Sequence, residues 1–258
     1  MKLRSHVFLC SVMVFALVLA SCGDDDSPTS GSVDKTPPGV SSVTPVDEYH
    51  IDVTFGEPVS KRSAEDWAHY TMVETAPTPI AGRQLAAPGD PVLVAGVGLK
   101  DDKKTVTIST QSSMAGLSLN VNVHGVADAS GNTIGEAGSD QSFTGSNLPD
   151  ITAPVVLSHS PLSDATDVPV NMTLRVVFSE GVNVGRDWGK VGGGTVLFQT
   201  TWEGLTMVCT PLQPLQYATD YVFGFSGNDY SNHLVSATWY FTTEPAPALR
   251  QSQAHAGR

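Results

Sequence analysis

Seven histidines, at positions 6, 50, 69, 124, 159, 233 and 255, are the natural places to look for metal chemistry. No two stand four residues apart, so they do not make the pair with which one helix face holds zinc. His50 and His124 fall on outward positions of alternating segments and are expected at the solvated surface. Asp128, Ser130 and Asn132 offer oxygens at alternating positions, as a calcium loop does, but lack the bidentate Glu of the full twelve-residue loop. With Gly131 supplying a positive φ, the same residues make an ordinary Asx-type turn, which is the preferred reading. Glu57 and Glu180 recur at strand ends, where an edge role, an interdomain role or a metal role all fit. Gly189, Lys190 and the run Gly192 to Gly194 fail the spacing of a phosphate loop and read as a loop, and no Gly-x-Ser-x-Gly occurs. A glycosidase-type carboxylate pair is not set by sequence spacing, yet each acid here sits at a repeated turn or in a tether. Cys209, among Met207, Val208 and Thr210, is expected to be a small buried hydrophobe. The expectation is a protein without catalysis, cofactor or metal.

Charge narrows the partners. The 258 residues hold 26 acidic and 14 basic side chains, a net −12, which argues against a nucleic-acid surface, since phosphate binding needs clustered Lys and Arg. Lys2 and Arg4 precede an apolar stretch from Val7 to Leu19, the layout of a cleavable export signal and too short for a convincing membrane span. Leu19, Ala20, Ser21 and Cys22 then resemble the lipobox of bacterial lipoproteins. That resemblance implies cleavage after residue 21, a diacylglycerol on the Cys22 thiol and an acylated amino group. Each buried methylene contributes about 0.8 kcal/mol, so two or three chains hold firmly where one holds marginally. Loss of Lys2 and Arg4 leaves 12 basic against 26 acidic residues, or −14. Residues 22–33, with Asp24, Asp25 and Asp26 among Ser and Gly, read as a solvated tether. The acidic run resembles the surface-export signal of some outer-membrane lipoproteins and equally suits a spacer repelled by an anionic membrane. Cys10 leaves with the signal, so Cys209 has no disulfide partner.

The elements that would carry these residues recur in two copies. Asp34, Thr36, Pro38 and Val40 return as Asp150, Thr152, Pro154 and Val156 at an offset of 116, which Pro45 and Pro161 keep. Phe55, Glu57 and Val59 match Phe178, Glu180 and Val182 at 123, so the second copy carries seven extra residues between Pro161 and Phe178. Asp66 and Trp67 match Asp187 and Trp188 at 121, suggesting anchors common to both domains. Asp128 and Ser130 match Asp229 and Ser231 at 101, and Phe143 and Thr144 match Phe241 and Thr242 at 98. Apolar residues alternate with polar ones at the period of half-buried antiparallel strands: Tyr49, Ile51, Val53 and Phe55; Val106 and Ile108; Leu119, Val121 and Val123; Tyr221, Phe223 and Phe225. Ser63 with Asp66 is expected to cap one helical turn before Trp67. Leu215 and Ala218 to Asp220 ahead of Tyr221 predict a tyrosine corner in the second copy, where the first has Leu119.

Both copies resemble the bacterial Ig-like domain of the S-layer-protein (SbsA) type. The matching pieces are the Asp-x-Thr-x-Pro openings at Asp34 and Asp150, Phe-x-Glu-x-Val at Phe55 and Phe178, and the turn of Asp128, Gly131 and Asn132. The second copy departs in having Asp229, Tyr230, Ser231, Asn232 at that turn, without its Gly, and Gly181 where the first has Pro58. The expected fold is all-β: two tandem immunoglobulin-like antiparallel β-sandwiches after a lipoprotein signal peptide (1–21) and a flexible tether (22–33). Domain 1 spans 34–147, domain 2 spans 148–244, and a disordered tail spans 245–258. Asn147, Leu148 and Pro149 make a very short joint that restricts the two domains. The resemblance implies a spacer or adhesive module without catalytic residues. The expected protein is therefore a lipid-anchored component of the bacterial envelope, on the outer membrane, facing the periplasm or displayed at the surface. It is held to the membrane by Cys22 and has a structural, adhesive or binding role toward an envelope protein or glycan. The alternatives are a carbohydrate-binding accessory of a polysaccharide-degrading system, marked by exposed coplanar Trp or Tyr on one sheet face where buried aromatics would mark a spacer, and a calcium-stiffened adhesin.

Overall fold

A computed structural model describes residues 34–75, 89–191 and 194–247. The expected signal peptide, Cys22 and the tether, with all but the first three residues of the expected tail, lie outside the described residues.

Alternating apolar residues become strands whose inner faces close on one another. In the first sandwich, one sheet has the order β1 (Val40–Pro45), β2 (His50–Phe55), β6 (Thr105–Thr110), β5 (Val94–Leu99). The other has the order β4 (Pro91–Val92), β3 (Tyr70–Glu74), β7 (Ser118–Val123), β8 (Ser139–Thr144). All pairings are antiparallel. Ile51 pairs with Ile108 and Val53 with Val106, so apolar partners meet across β2 and β6 on the buried face. Leu119, Val121 and Val123 complete that core from β7, all fully buried.

The second sandwich repeats the topology. One sheet runs β9 (Val156–Ser160), β11 (Leu174–Phe178), β15 (Thr206–Pro211), β14 (Phe198–Glu203), and the other runs β10 (Ala165–Val168), β17 (Leu234–Thr243), β16 (Asp220–Asn228), β12 (Asn183–Val191), β13 (Gly194–Val196). The added element, β10, lies parallel to β17. It is built from the segment that contains the seven extra residues of the second copy. Phe178, Phe223, Phe225 and Trp239 fill this separate core. The fold is thus all-β and Ig-like in both bodies.

The repeated sequence signals become repeated local structure. The Thr36 N–H donates to Asp34 Oδ1 and the Thr152 N–H to Asp150 Oδ1, at 3.0 and 2.9 Å. Asp128 Oδ1 accepts the N–H groups of Ser130 and Asn132, the Asx-type turn expected there. Its counterpart Asp229 accepts the N–H of His233. Gly131 has φ 89°, and Asn232, three residues after Asp229 as Gly131 is after Asp128, has φ 71°. Asn tolerates the left-handed region that a β-branched residue does not, which is why the second turn survives without glycine. The Tyr221 hydroxyl accepts the Gln216 N–H at 2.8 Å, so the tyrosine corner is present.

Two local expectations need correction. Residues Lys61–Ala64 form a single helical turn, α1, but its N-cap is Ser60, without a side-chain cap. Ser63 instead donates its hydroxyl to the Ser60 carbonyl and accepts the Ala127 N–H, and Asp66 caps the following 3-10 turn, Trp67–His69. The proposed match of Asp66 and Trp67 with Asp187 and Trp188 also fails. Tyr70 pairs with Val123, and Asp187 pairs with Phe225, the counterpart of Val123 in the second copy. Asp187 therefore stands where Tyr70 does. Trp67 is 58% exposed on a 3-10 turn, whereas Trp188 lies half-buried on a strand against Gly224.

Candidate functional site

The chemistry-bearing residues converge where the two sandwiches meet. The turn between β14 and β15 brings Leu205 against β5, where glycines leave room for it. A Cβ on Gly96 or Gly98 would fall 2.5 or 2.6 Å from a Leu205 methyl. Beside it, the Gly181 N–H donates to Ser109 Oγ at 3.0 Å in a buried contact. A Cβ at 181 would lie 2.9 Å from the Cβ atoms of Ala95 and Ser109, which accounts for glycine where the first copy has proline. The Leu148 carbonyl accepts the Glu48 N–H at 2.8 Å, tying the short joint back onto the first sandwich.

His50, expected on the solvated surface, is 8% exposed. It does lie on the outward face of β2, but the second sandwich covers that end of the strand. Its Nδ1 is held by both oxygens of Asp47 at 2.9 and 3.0 Å. Its Nε2 lies 3.3 Å from Oε2 of Glu180, across the joint. Burial alone would lower the His50 pKa; Glu180 and Asp47 outweigh it and raise it to about 9, so the imidazole is cationic at neutral pH. Glu180 itself is 7% exposed. Although an ion-pair distance from His50, its Oε2 meets no donor in hydrogen-bonding geometry. His124, also expected in solvent, is half-buried, with its ring edge-on to His69 at 5.7 Å.

Further acids close on the same place. Asp150 and Asp229 are 7% and 4% exposed. The Ser231 hydroxyl donates to Asp150 Oδ2, and His233 Nδ1 lies 2.7 Å from Asp229 Oδ2. The Asp229 hydrogen bond raises the His233 pKa, opposed by desolvation and aided by the charges of Asp229, Asp150 and Glu180. The Tyr49 phenol is raised first by burial, then by Glu48, Asp229 and Asp150. Candidate ligand atoms of Asp47, His50 and Asp150 lie within 4.8 Å of one another, as do those of Asp150, Asp229 and His233. Asp34, Glu57 and Asp128 form the corresponding cluster in the first sandwich, with Asp34 exposed. Sequence reasoning singled out Glu180 but not Asp47, Asp150 or His233 as parts of a site. The recurrence of Asp34, Glu57 and Asp128 as Asp150, Glu180 and Asp229 was the available signal.

A cleft of about 770 Å³ also opens between the sandwiches, lined by Lys61, Arg62, Trp67, Arg175, Trp202 and Glu203 among others. A second, of about 550 Å³, shares Trp67 and Trp202 and adds Tyr230. Trp202 is 38% exposed, while Trp239 is buried beside His159, with ring centroids 4.3 Å apart. Elsewhere, Gly189 and Lys190 sit in β12 and Gly194 in β13, paired antiparallel, so these three are strand residues rather than loop. Gly192 and Gly193 lie outside the described residues. Cys209 is fully buried on β15, and burial pushes its thiol up to about 12.

Residues 150–243 match the family model of a bacterial Ig-like domain. No curated protein matches the chain. Similar solved structures include PcoC, a methionine-rich copper resistance protein from Escherichia coli, at 19% identity and a TM-score of 0.32 over 36% of this chain and 100% of that one. The N-terminal part of the bacterial S-layer protein SbsC is 15% identical, with a TM-score of 0.35 over 80% of this chain and 44% of that one. Dimeric latent PorU from Porphyromonas gingivalis is 13% identical, with a TM-score of 0.38 over 81% and 23%. The second sandwich is thus similar to bacterial Ig-like domains, and the first shares its strand order.

Proposed function

We propose that the chain is a bacterial lipoprotein, anchored in the envelope through Cys22, that displays two Ig-like modules of the S-layer-protein (SbsA) type as one binding or adhesive unit. The observation that carries the reading is the buried joint. Gly181 on Ser109, Glu180 on His50 and Leu205 on the β5 glycines hold the two bodies as a single presenting surface. The lipobox-like Leu19 to Cys22 supports the address. Fractionation with Cys22→Ser tests the anchor: the wild type stays with outer membranes and the variant is released. Protease shaving of live cells then separates a surface-facing protein from one facing the periplasm. A Cys22→Ser protein that remains with the membrane defeats the reading.

A specific observation favours glycan as the bound partner. Trp67 and Trp202 are exposed, come from different sandwiches and border the same two clefts, the larger of which also presents the forked donors of Arg62 and Arg175. Aromatic faces with nearby planar donors suit the apolar faces and hydroxyls of a sugar ring. Affinity electrophoresis against envelope and plant polysaccharides tests this. Trp67→Ala and Trp202→Ala should each abolish the retardation that the wild type shows.

A further inference from the structure

The cluster under the joint has an unbalanced charge. Asp47, Asp150, Glu180 and Asp229 contribute four carboxylates, three of them at least nine-tenths buried, and His50 and His233 contribute two imidazoles. Carboxylates outnumber imidazoles two to one, so negative charge is in excess whichever protonation state the imidazoles take. Among the Lys and Arg residues whose side chains are described, which leaves out Arg186, none comes within ion-pairing distance of any of the four; the Lys and Arg pairs go to Asp52, Glu65 and Glu203. Burying uncompensated charge is costly, so an arrangement of this kind calls for a cation. Independently, Glu180 Oε2 is buried with no donor in hydrogen-bonding geometry, its one recorded neighbour being the ion-paired His50 imidazole at 3.3 Å.

We propose that a divalent transition-metal ion of the zinc class binds at Asp150, Asp229 and His233, under the joint between the sandwiches, with Glu180, Asp47 and His50 completing its charged surroundings. The three named residues bring candidate ligand atoms within 4.8 Å of one another, a spread that a small displacement closes around one ion. The donor set decides the class of metal. Calcium takes oxygen ligands alone, whereas an imidazole beside carboxylates suits zinc, cobalt, nickel or copper. Two segments of the second sandwich hold the ligands, and the first sandwich packs Tyr49, Asp47 and His50 against them. Binding therefore also stabilises the joint. The corresponding cluster in the first sandwich has three carboxylates, one of them exposed, and no imidazole, and it serves as the internal control.

The test is calorimetric titration of the full chain, purified in detergent and stripped with chelator, with zinc chloride at pH 7.5 and 0.15 M salt. One ion per chain, a higher melting temperature, and a visible absorption band on cobalt substitution are expected. His233→Gln and Asp150→Asn should each weaken zinc binding by about tenfold or more, while Asp128→Asn leaves it unchanged. His233 is about one-third exposed in its side chain, so its variant is expected to fold, which a wild-type-like circular-dichroism spectrum of the metal-free protein checks. Absence of zinc binding, binding that both His233→Gln and Asp150→Asn leave intact, or calcium binding tighter than zinc binding overturns the proposal.

Discussion

Two side chains illustrate how position decides chemistry. Cys209 is a nucleophile in name only: it is fully buried, its thiol is pushed up to about 12, and its sulfur lies 3.5 Å from Asp187 Oδ2, whose charge opposes a thiolate. Reaction of Cys209 with a disulfide reagent at pH 8, followed by peptide mapping, should be at least ~100-fold slower in the folded protein than in guanidinium, because only the accessible thiolate reacts. Asn232 is held at φ 71° by the turn that follows Asp229. Asn232→Ala should cost about 1 kcal/mol, the steric penalty of the left-handed region for a residue with a Cβ and no local polar compensation. Asn232→Gly should be neutral within about 0.5 kcal/mol. Chemical denaturation of the two variants measures both effects.

Strands and turns are where the sequence was most legible. Alternation placed Ile51, Val53, Phe55 and the β7 and β16 residues on buried faces, because a strand has a strict period of two and only one face of each sheet meets the core. The tyrosine corner was readable because its residues are neighbours in the chain. Tyr221→Phe removes the acceptor for the Gln216 N–H and should cost about 1 kcal/mol. The loss should appear in the unfolding of the second sandwich and leave the first unaffected. Trp67 misled because a shared Asp-Trp pair carries no period. In the first copy it falls in the α1 and 3-10 segment, and in the second it falls within β12. His50 misled for a different reason. Its face of β2 is outward with respect to its own core, and its burial is created by Glu180, far away in the chain. Local pattern reports one sheet face against another, and it has no access to a surface that a second body covers. The candidate site was therefore visible only as recurring acids, and their convergence required the fold.

In the whole molecule, the joint couples two bodies that each have their own core. Gly181→Val would force a side chain against Ala95 and Ser109. A loss of about 1 to 3 kcal/mol from such overpacking is expected, with faster proteolysis at Asn147 to Pro149 and separate thermal transitions where the wild type shows coupled ones. Differential scanning calorimetry and limited proteolysis read the two effects. The same contact gives the tandem a polarity. Docking uses the N–H of Gly181 on the later module and the hydroxyl of Ser109 on the earlier one. At the place of Gly181 the earlier module has Pro58, which has no N–H to donate and carries a ring where the contact needs bare backbone. A further copy grafted ahead of Asp34 would find no such socket, so concatenation by this interface runs in one direction and halts at its amino-terminal member.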